Sequence, residues 1–254
     1  MNKLILKAGF LAATAVVIMS GVLAHTSVAH AQSVDKAMKY GDAVTGAINS
    51  DQTSFTYTFT GKAKDFVAVH YAGDPAVKYD DQLHDTQLSI ADPKGKIVVD
   101  STTVFNLNDA FAFQLLTDGT YTITATRKDG SDGTATGQFM LTLDKATILE
   151  TGKELTDTAT AARAKYYVVS APTKDFAIEY LKQKGDLIAT VDIYTMGQGG
   201  ALDGISYMSG SGLAGGSLIV TVDGSSNYLV TVSGGLLSLD KGTVNYKLSL
   251  ADVN

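Results

Sequence analysis

The order of patterns between Gly41 and Lys145 recurs between Gly152 and Asp252, and this recurrence constrains the fold more than any single motif does. "SFTYTFT" (residues 54–60) puts Phe55, Tyr57 and Phe59 on one face and Thr56, Thr58 and Thr60 on the other. A period of two of this kind predicts a half-buried antiparallel strand. "KYYVVS" (165–170) stands in its place in the second half. Lys64-Asp65-Phe66 returns as Lys174-Asp175-Phe176, and Tyr121 and Ile123 return as Tyr228 and Val230. Phe139, Leu141 and Leu143 return as Tyr246, Leu248 and Leu250. Shared order at nearly constant spacing reads as an internal duplication with differences in loop length.

Each half holds roughly 100 residues of short strands parted by turn signals, the texture of an antiparallel sandwich. Strands are expected over 43–48, 54–60, 65–71, 87–91, 97–100, 110–116, 120–126 and 138–143. Asp92-Pro93-Lys94-Gly95 is a turn joining 87–91 and 97–100 as a hairpin. Residues 118–144 and 225–252 read as one hairpin built twice, each a tyrosine-led strand, a Gly-rich turn and a second strand. The expectation is an all-β chain of two tandem antiparallel β-sandwich domains, jelly-roll-like, over 41–147 and 148–254. A linker this short should leave the two in contact.

Residues 1–31 are a separate object. Lys3 and Lys7 precede an apolar stretch rich in small residues, and Ala29-His30-Ala31 supplies an A-x-A cleavage site. This is a secretory signal peptide, so export to the periplasm or medium is expected. Residues 32–40 follow as a polar, mobile leader. Removing 1–31 takes away two lysines and no acid, leaving 18 basic against 26 acidic residues, a net charge of −8. That balance argues against nucleic acid or an anionic membrane as partner. The absence of cysteine excludes disulfides, thiol catalysis, Cys-ligated zinc and a lipoprotein anchor.

The first half, with "FTYTFTGKAKDFVAV", "LSIADPKGKIV", "DGTYTITA" and "FMLTL", resembles the bacterial pre-peptidase C-terminal (PPC) domain, a jelly-roll-like sandwich often appended to secreted peptidases. The second half keeps "YYVVSAPTKDFAIEY" and "NYLVTVSG", but has "YTMGQGG" for "DPKG" and "SSNY" for "DGTY". The resemblance implies a noncatalytic accessory domain linked to secretion, substrate contact or adhesion, with calcium bound in some relatives. No peptidase domain precedes the repeats, so such a role would be carried out alone or in trans.

Chemistry-bearing motifs are sparse. After cleavage only His70 and His84 remain, and no G-x-S-x-G elbow accompanies them. Ser33-Val34-Asp35-Lys36 matches S-x-x-K without its partner motifs. Gly210-Ser211-Gly212-Leu213-Ala214-Gly215 matches G-x-G-x-x-G, but a strand, not a helix, is expected after it, which excludes a dinucleotide site. It lies in a Gly-rich stretch, Met196 to Ser217, read as a long mobile loop able to bind a partner. In the acidic loop "GDPAVKYDDQLHD", Asp80, Asp81 and Asp85 could give oxygen ligands to calcium, though the spacing is not an EF-hand. Apart from calcium no cofactor is expected.

The function expected is noncatalytic binding of a protein or cell-surface partner through loops at the sandwich ends. A secreted carboxylate-dependent hydrolase and a calcium-stabilised structural module remain as alternatives. The twelve tyrosines sit mostly at alternating strand positions, and without tryptophan the chain lacks the usual stacking platform for sugars.

Overall fold

The computed structural model describes residues 34–103, 110–160, 163–187, 189–196, 202–211, 215–222, 227–234 and 242–253. The signal peptide expected over 1–31 lies outside them. Among the described residues the structure is all-β, with two short 3-10 turns at Tyr79–Asp81 and Gly130–Asp132.

The first half contributes β1 (Val34–Met38), β2 (Ala43–Ile48), β3 (Ser54–Gly61), β4 (Phe66–Gly73), β5 (Thr86–Ala91), β6 (Ile97–Asp100), β7 (Ala110–Gln114), β8 (Gly119–Arg127) and β9 (Gly137–Lys145). The second contributes β10 (Thr147–Ile148), β11 (Glu154–Thr160), β12 (Lys165–Ser170), β13 (Phe176–Gly185), β14 (Ala189–Met196), β15 (Leu202–Ser211), β16 (Gly215–Val220), β17 (Asn227–Gly234) and β18 (Thr243–Asp252). Sheet orders are β1-β3-β8-β5-β6 and β2-β9-β4-β7 in the first half, β10-β12-β17-β14-β15 and β11-β18-β13-β16 in the second. Adding nine to every label of the first pair gives the second pair. The duplication read from the sequence is therefore also a duplication of strand order.

Three expectations change. The leader is not free: β1 pairs in parallel with β3, and Met38 is buried in the first core. Its counterpart is β10, which pairs in parallel with β12, so this strand belongs to the repeat. The Gly-rich stretch is not one loop, because β15 pairs antiparallel with β14 and β16 with β13. Ladder bonds use backbone groups, which glycine supplies like any residue. The twice-built "hairpin" is not a hairpin. β8 lies between β3 and β5, and β9 lies in the opposite sheet between β2 and β4. The link from β8 to β9 crosses from one sheet to the other, as does that from β17 to β18. Alternation reports a buried face but does not say which sheet a strand joins.

The hairpin expected at Asp92–Gly95 does form, as β5–β6. Asp92 Oδ1 accepts the N–H groups of Lys94 and Lys96, both at 2.9 Å, and Gly95 takes φ +81°.

Each sandwich has its own core. Tyr57, Phe59, Tyr71, Tyr121 and Phe139 anchor the first, and Tyr167, Phe176, Tyr180, Tyr228 and Tyr246 the second. A third apolar cluster is the seam between them. Phe66 and Ala68 of β4 and Ala110 and Ala112 of β7 meet Tyr166 and Val168 of β12, Met196 of β14 and Leu229 of β17. Arg163 fastens its edge, with Nη2 2.6 Å and Nε 3.2 Å from the carboxylate of Asp144. Where the second sandwich presents Val168 and Leu229 to this seam, the first carries Thr58 and Thr122 at the matching register positions.

Candidate functional site

Asp80 and Asp81 lie in the exposed 3-10 turn, and Asp85 is exposed beyond it. Asp74 is buried, and its Oδ1 accepts the Ala76 N–H at 2.9 Å. Among the described residues, no three His, Asp or Glu side chains come together as a metal-binding group. Nor does a second buried carboxylate accompany Asp74 there, as a paired acid and base would require. His84 stays local, with Nε2 2.8 Å from the Tyr79 carbonyl and its ring against Tyr79. His70 lies on β4. Of the G-x-G-x-x-G match, Gly215 opens a strand, and residues 212–214 lie outside the described set.

A concavity lies at one end of the second sandwich, and the repeat explains it. After β1 the chain turns at Gly41, whose N–H donates to the Leu143 carbonyl at 2.7 Å. After β10 it turns at Gly152, whose N–H donates to the Leu250 carbonyl at 2.9 Å. Both glycines are left-handed, with φ +95° and +77°, a conformation other residues adopt only with strain. The residue just before each glycine differs: Tyr40 in the first repeat, Thr151 in the second.

In the first sandwich Tyr40 closes the end. Its ring packs against Phe59 with centroids 6.1 Å apart, and its hydroxyl donates to Asp65 Oδ2 at 3.2 Å. Lys145 bonds the other oxygen of Asp65 at 2.5 Å and stands 5.8 Å from the centre of the Tyr40 ring. Burial pushes the Asp65 carboxyl up, but the Lys145 ammonium, the Lys62 N–H and the Tyr40 hydroxyl outweigh it and hold the group below its ordinary value. Burial and the neighbouring Asp65 charge push the Tyr40 hydroxyl up.

In the second sandwich, Thr151 replaces Tyr40 and Val169 replaces Phe59 at matching register. Phe176 recovers part of the lost volume by packing edge-on against Tyr228 at 5.2 Å. A concavity of about 360 Å³ remains. Leu149, Val169, Phe176 and Leu250 form its buried floor, and Ile148 stands half exposed at its mouth. Across the rim Lys174 and Asp252 form an ion pair at 2.6 Å. Its size suits a small ligand or one side chain of a partner.

A second polar feature lies in the same sandwich. Tyr167 donates to Asp157 Oδ2 at 2.8 Å, and the Tyr246 hydroxyl lies 2.5 Å from that of Tyr167. Lys165 stands 3.3 Å from Asp157. Burial, with each other's hydroxyls and Asp157 nearby, pushes the Tyr167 hydroxyl up, and burial does the same to Tyr246. Their hydrogen bonds through Asp157 tie β11, β12 and β18 together.

Neither Thr151 nor Asp252 carries a motif, and Lys174 entered only through the repeated tripeptide. The signal lay in the repeat itself: aligning Gly41 with Gly152 shows that the second copy lacks the tyrosine of the first.

No protein-family profile and no curated protein matches the chain. Among solved structures it is similar to the CUB1-EGF-CUB2 domain of human MASP-1/3, at 8% identity over 82% of this chain and 99% of that one, with a TM-score of 0.22. It is also similar to the exported PBSX protein XepA, at 10% identity over 84% and 88%, TM-score 0.23. A third is the CBM22-1-CBM22-2 tandem of Paenibacillus barcinonensis Xyn10C, at 9% over 85% and 93%, TM-score 0.22. At such scores the likeness carries no argument about ligand or activity.

Proposed function

We propose that the chain is an exported, noncatalytic binding protein of two PPC-like sandwiches, which holds a protein or cell-surface partner at a sandwich end. The observation that carries this reading is the concavity bounded by Thr151, Lys174 and Asp252. It combines an apolar floor with a charged rim, the usual make-up of a recognition site. Export is supported by the sequence of residues 1–31. Among the described residues no helix is long and apolar enough to cross a membrane.

A crosslinking pull-down tests the reading. The bait is the chain from Gln32, offered to envelope and secreted fractions of the source organism. The expected result is one reproducible partner whose capture falls at least tenfold with Ile148→Asp or Lys174→Glu. Capture that neither substitution alters, or no capture where control baits succeed, would overturn it.

A further inference from the structure

We propose that the concavity at the end of the second sandwich is a site for a phenolic ring, the group that Tyr40 supplies from within the chain at the same place in the first. This deepens the binding reading above and rests on it.

The two ends share a frame. Leu149 occupies the place of Met38, Val169 that of Phe59, and Leu250 that of Leu143, each fixed by the strand pairing. The Ala146 N–H donates to the Phe66 carbonyl, and the Val253 N–H donates to the Asp175 carbonyl in the same way. That bond places Lys174 where Asp65 stands. Opposite them, Lys145 faces the start of β4 from β9 as Asp252 faces the start of β13 from β18. Each end therefore keeps an acid–base pair beside the ring position, with the charges exchanged between strands.

What differs is the ring. The first end holds a phenol that packs tilted against Phe59, whose hydroxyl bonds the acid and over whose ring the base stands. The second end has an apolar floor with Val169 in place of Phe59, keeps an acid and a base, and leaves a volume of about 360 Å³. A planar aromatic ring meets each demand: its face covers the apolar floor and shields Ile148, and its hydroxyl reaches Lys174 or Asp252. Both rim side chains are well exposed, so turning toward a hydroxyl costs them little. The ring could come from a free phenol or from a tyrosine of a partner chain.

The probe is p-cresol, titrated into the chain from Gln32 while the methyl NMR signals of Ile148, Leu149, Val169 and Leu250 are followed. The expected result is a saturable shift confined to these methyls, with cyclohexanol at least fivefold weaker. Thr151→Tyr places the ring in cis and should abolish the shift while raising the melting temperature. Ile148→Asp, which sets a carboxylate at the mouth, should weaken p-cresol at least tenfold at the Leu149, Val169 and Leu250 methyls and guards against a Thr151→Tyr chain that does not fold. A capped Gly-Tyr-Gly peptide separates the sources: binding as tight as p-cresol supports a partner's tyrosine, and p-cresol binding alone supports a small phenol. The proposal is overturned by no saturable shift, by shifts that persist in folded Thr151→Tyr, or by cyclohexanol binding as tightly. A partner captured in the pull-down and undisturbed by p-cresol would keep the binding reading and remove this site.

Discussion

Lys145 and Asp252 occupy the same place in the two repeats and carry opposite charges, yet each is ion-paired across its sandwich end, to Asp65 at 2.5 Å and to Lys174 at 2.6 Å. Attraction has survived while the sign on each strand has changed. Lys145→Asp should set two carboxylates against each other and destabilise the first sandwich, and adding Asp65→Lys should recover most of the loss. Nearly half of the Lys145 side chain is exposed, so screening limits the coupling to about 0.5–1 kcal/mol. The Asp65 carboxyl titrates below its ordinary value, so the stability it contributes is present above the unfolded carboxylate range. That stability is lost as pH falls through the folded value. Urea midpoints at neutral and acid pH should show the effect of Lys145→Asp shrinking in acid; an effect independent of pH would exclude the pair as its cause.

The seam gives a second expectation. Val168 is buried between the sandwiches, and the first sandwich carries Thr58 at the matching position. Val168→Thr removes a methyl and buries a hydroxyl there, at a cost of about 1–2 kcal/mol. Thr58→Val changes a position outside the seam and should stay within about 0.5 kcal/mol. Chemical denaturation of both variants checks the contrast. Equal effects would mean that the seam contributes little.

These positions also show what the sequence made legible. Period-two alternation located most strands and, through the repeat, both cores, because burial on one face leaves that mark. The seam left none, because its residues face away from both cores and read as the solvent side. Sheet membership was equally silent, since β8 and β9 carry the same alternation in different sheets. The repeated tripeptide misled by one residue. Lys64-Asp65-Phe66 matches Lys174-Asp175-Phe176 in sequence, but Phe66 lies in the seam and Phe176 in the second core. Register puts Val67 opposite Lys145 as Phe176 lies opposite Asp252. The second turn is one residue shorter, and one residue is enough to exchange the faces of a strand. The concavity follows from what the second copy lacks, which a reader of either half alone would not see.

For calcium, the three carboxylates named from sequence give a direct test. Asp80 and Asp81 share one exposed turn, and Asp85 lies beyond it. A cation that bound only the folded chain would raise stability by RT ln(1 + [L]/Kd). Among the described residues these groups do not gather, so the expected melting temperature is the same in millimolar calcium and in chelator. A rise with calcium that Asp81→Asn removes would establish the site instead.

The tyrosines of the second core allow opposite predictions from neighbouring residues. Tyr246 bonds Tyr167, whereas the buried Tyr180 hydroxyl has no hydrogen-bond partner among the described residues, although the Tyr180 and Tyr246 rings lie 5.5 Å apart. Tyr246→Phe, which copies Phe139 of the first repeat, should cost about 1 kcal/mol by removing a made hydrogen bond. Tyr180→Phe removes a desolvated hydroxyl that finds no partner among the described residues and should be neutral or stabilising by up to about 1 kcal/mol. Burial raises Tyr71, Tyr167, Tyr180 and Tyr246 alike, and pushes Tyr194 up to about 12. The unfolded chain therefore releases tyrosine protons at lower pH than the folded one. Stability should be complete below about pH 10 and fall above it as unfolded tyrosines ionise. Absorbance at 295 nm, followed with far-UV circular dichroism, should show these tyrosines ionising only as the sheets unfold. Full ionisation with the sheets intact would mean that the cores admit solvent and that burial is not what raises these groups.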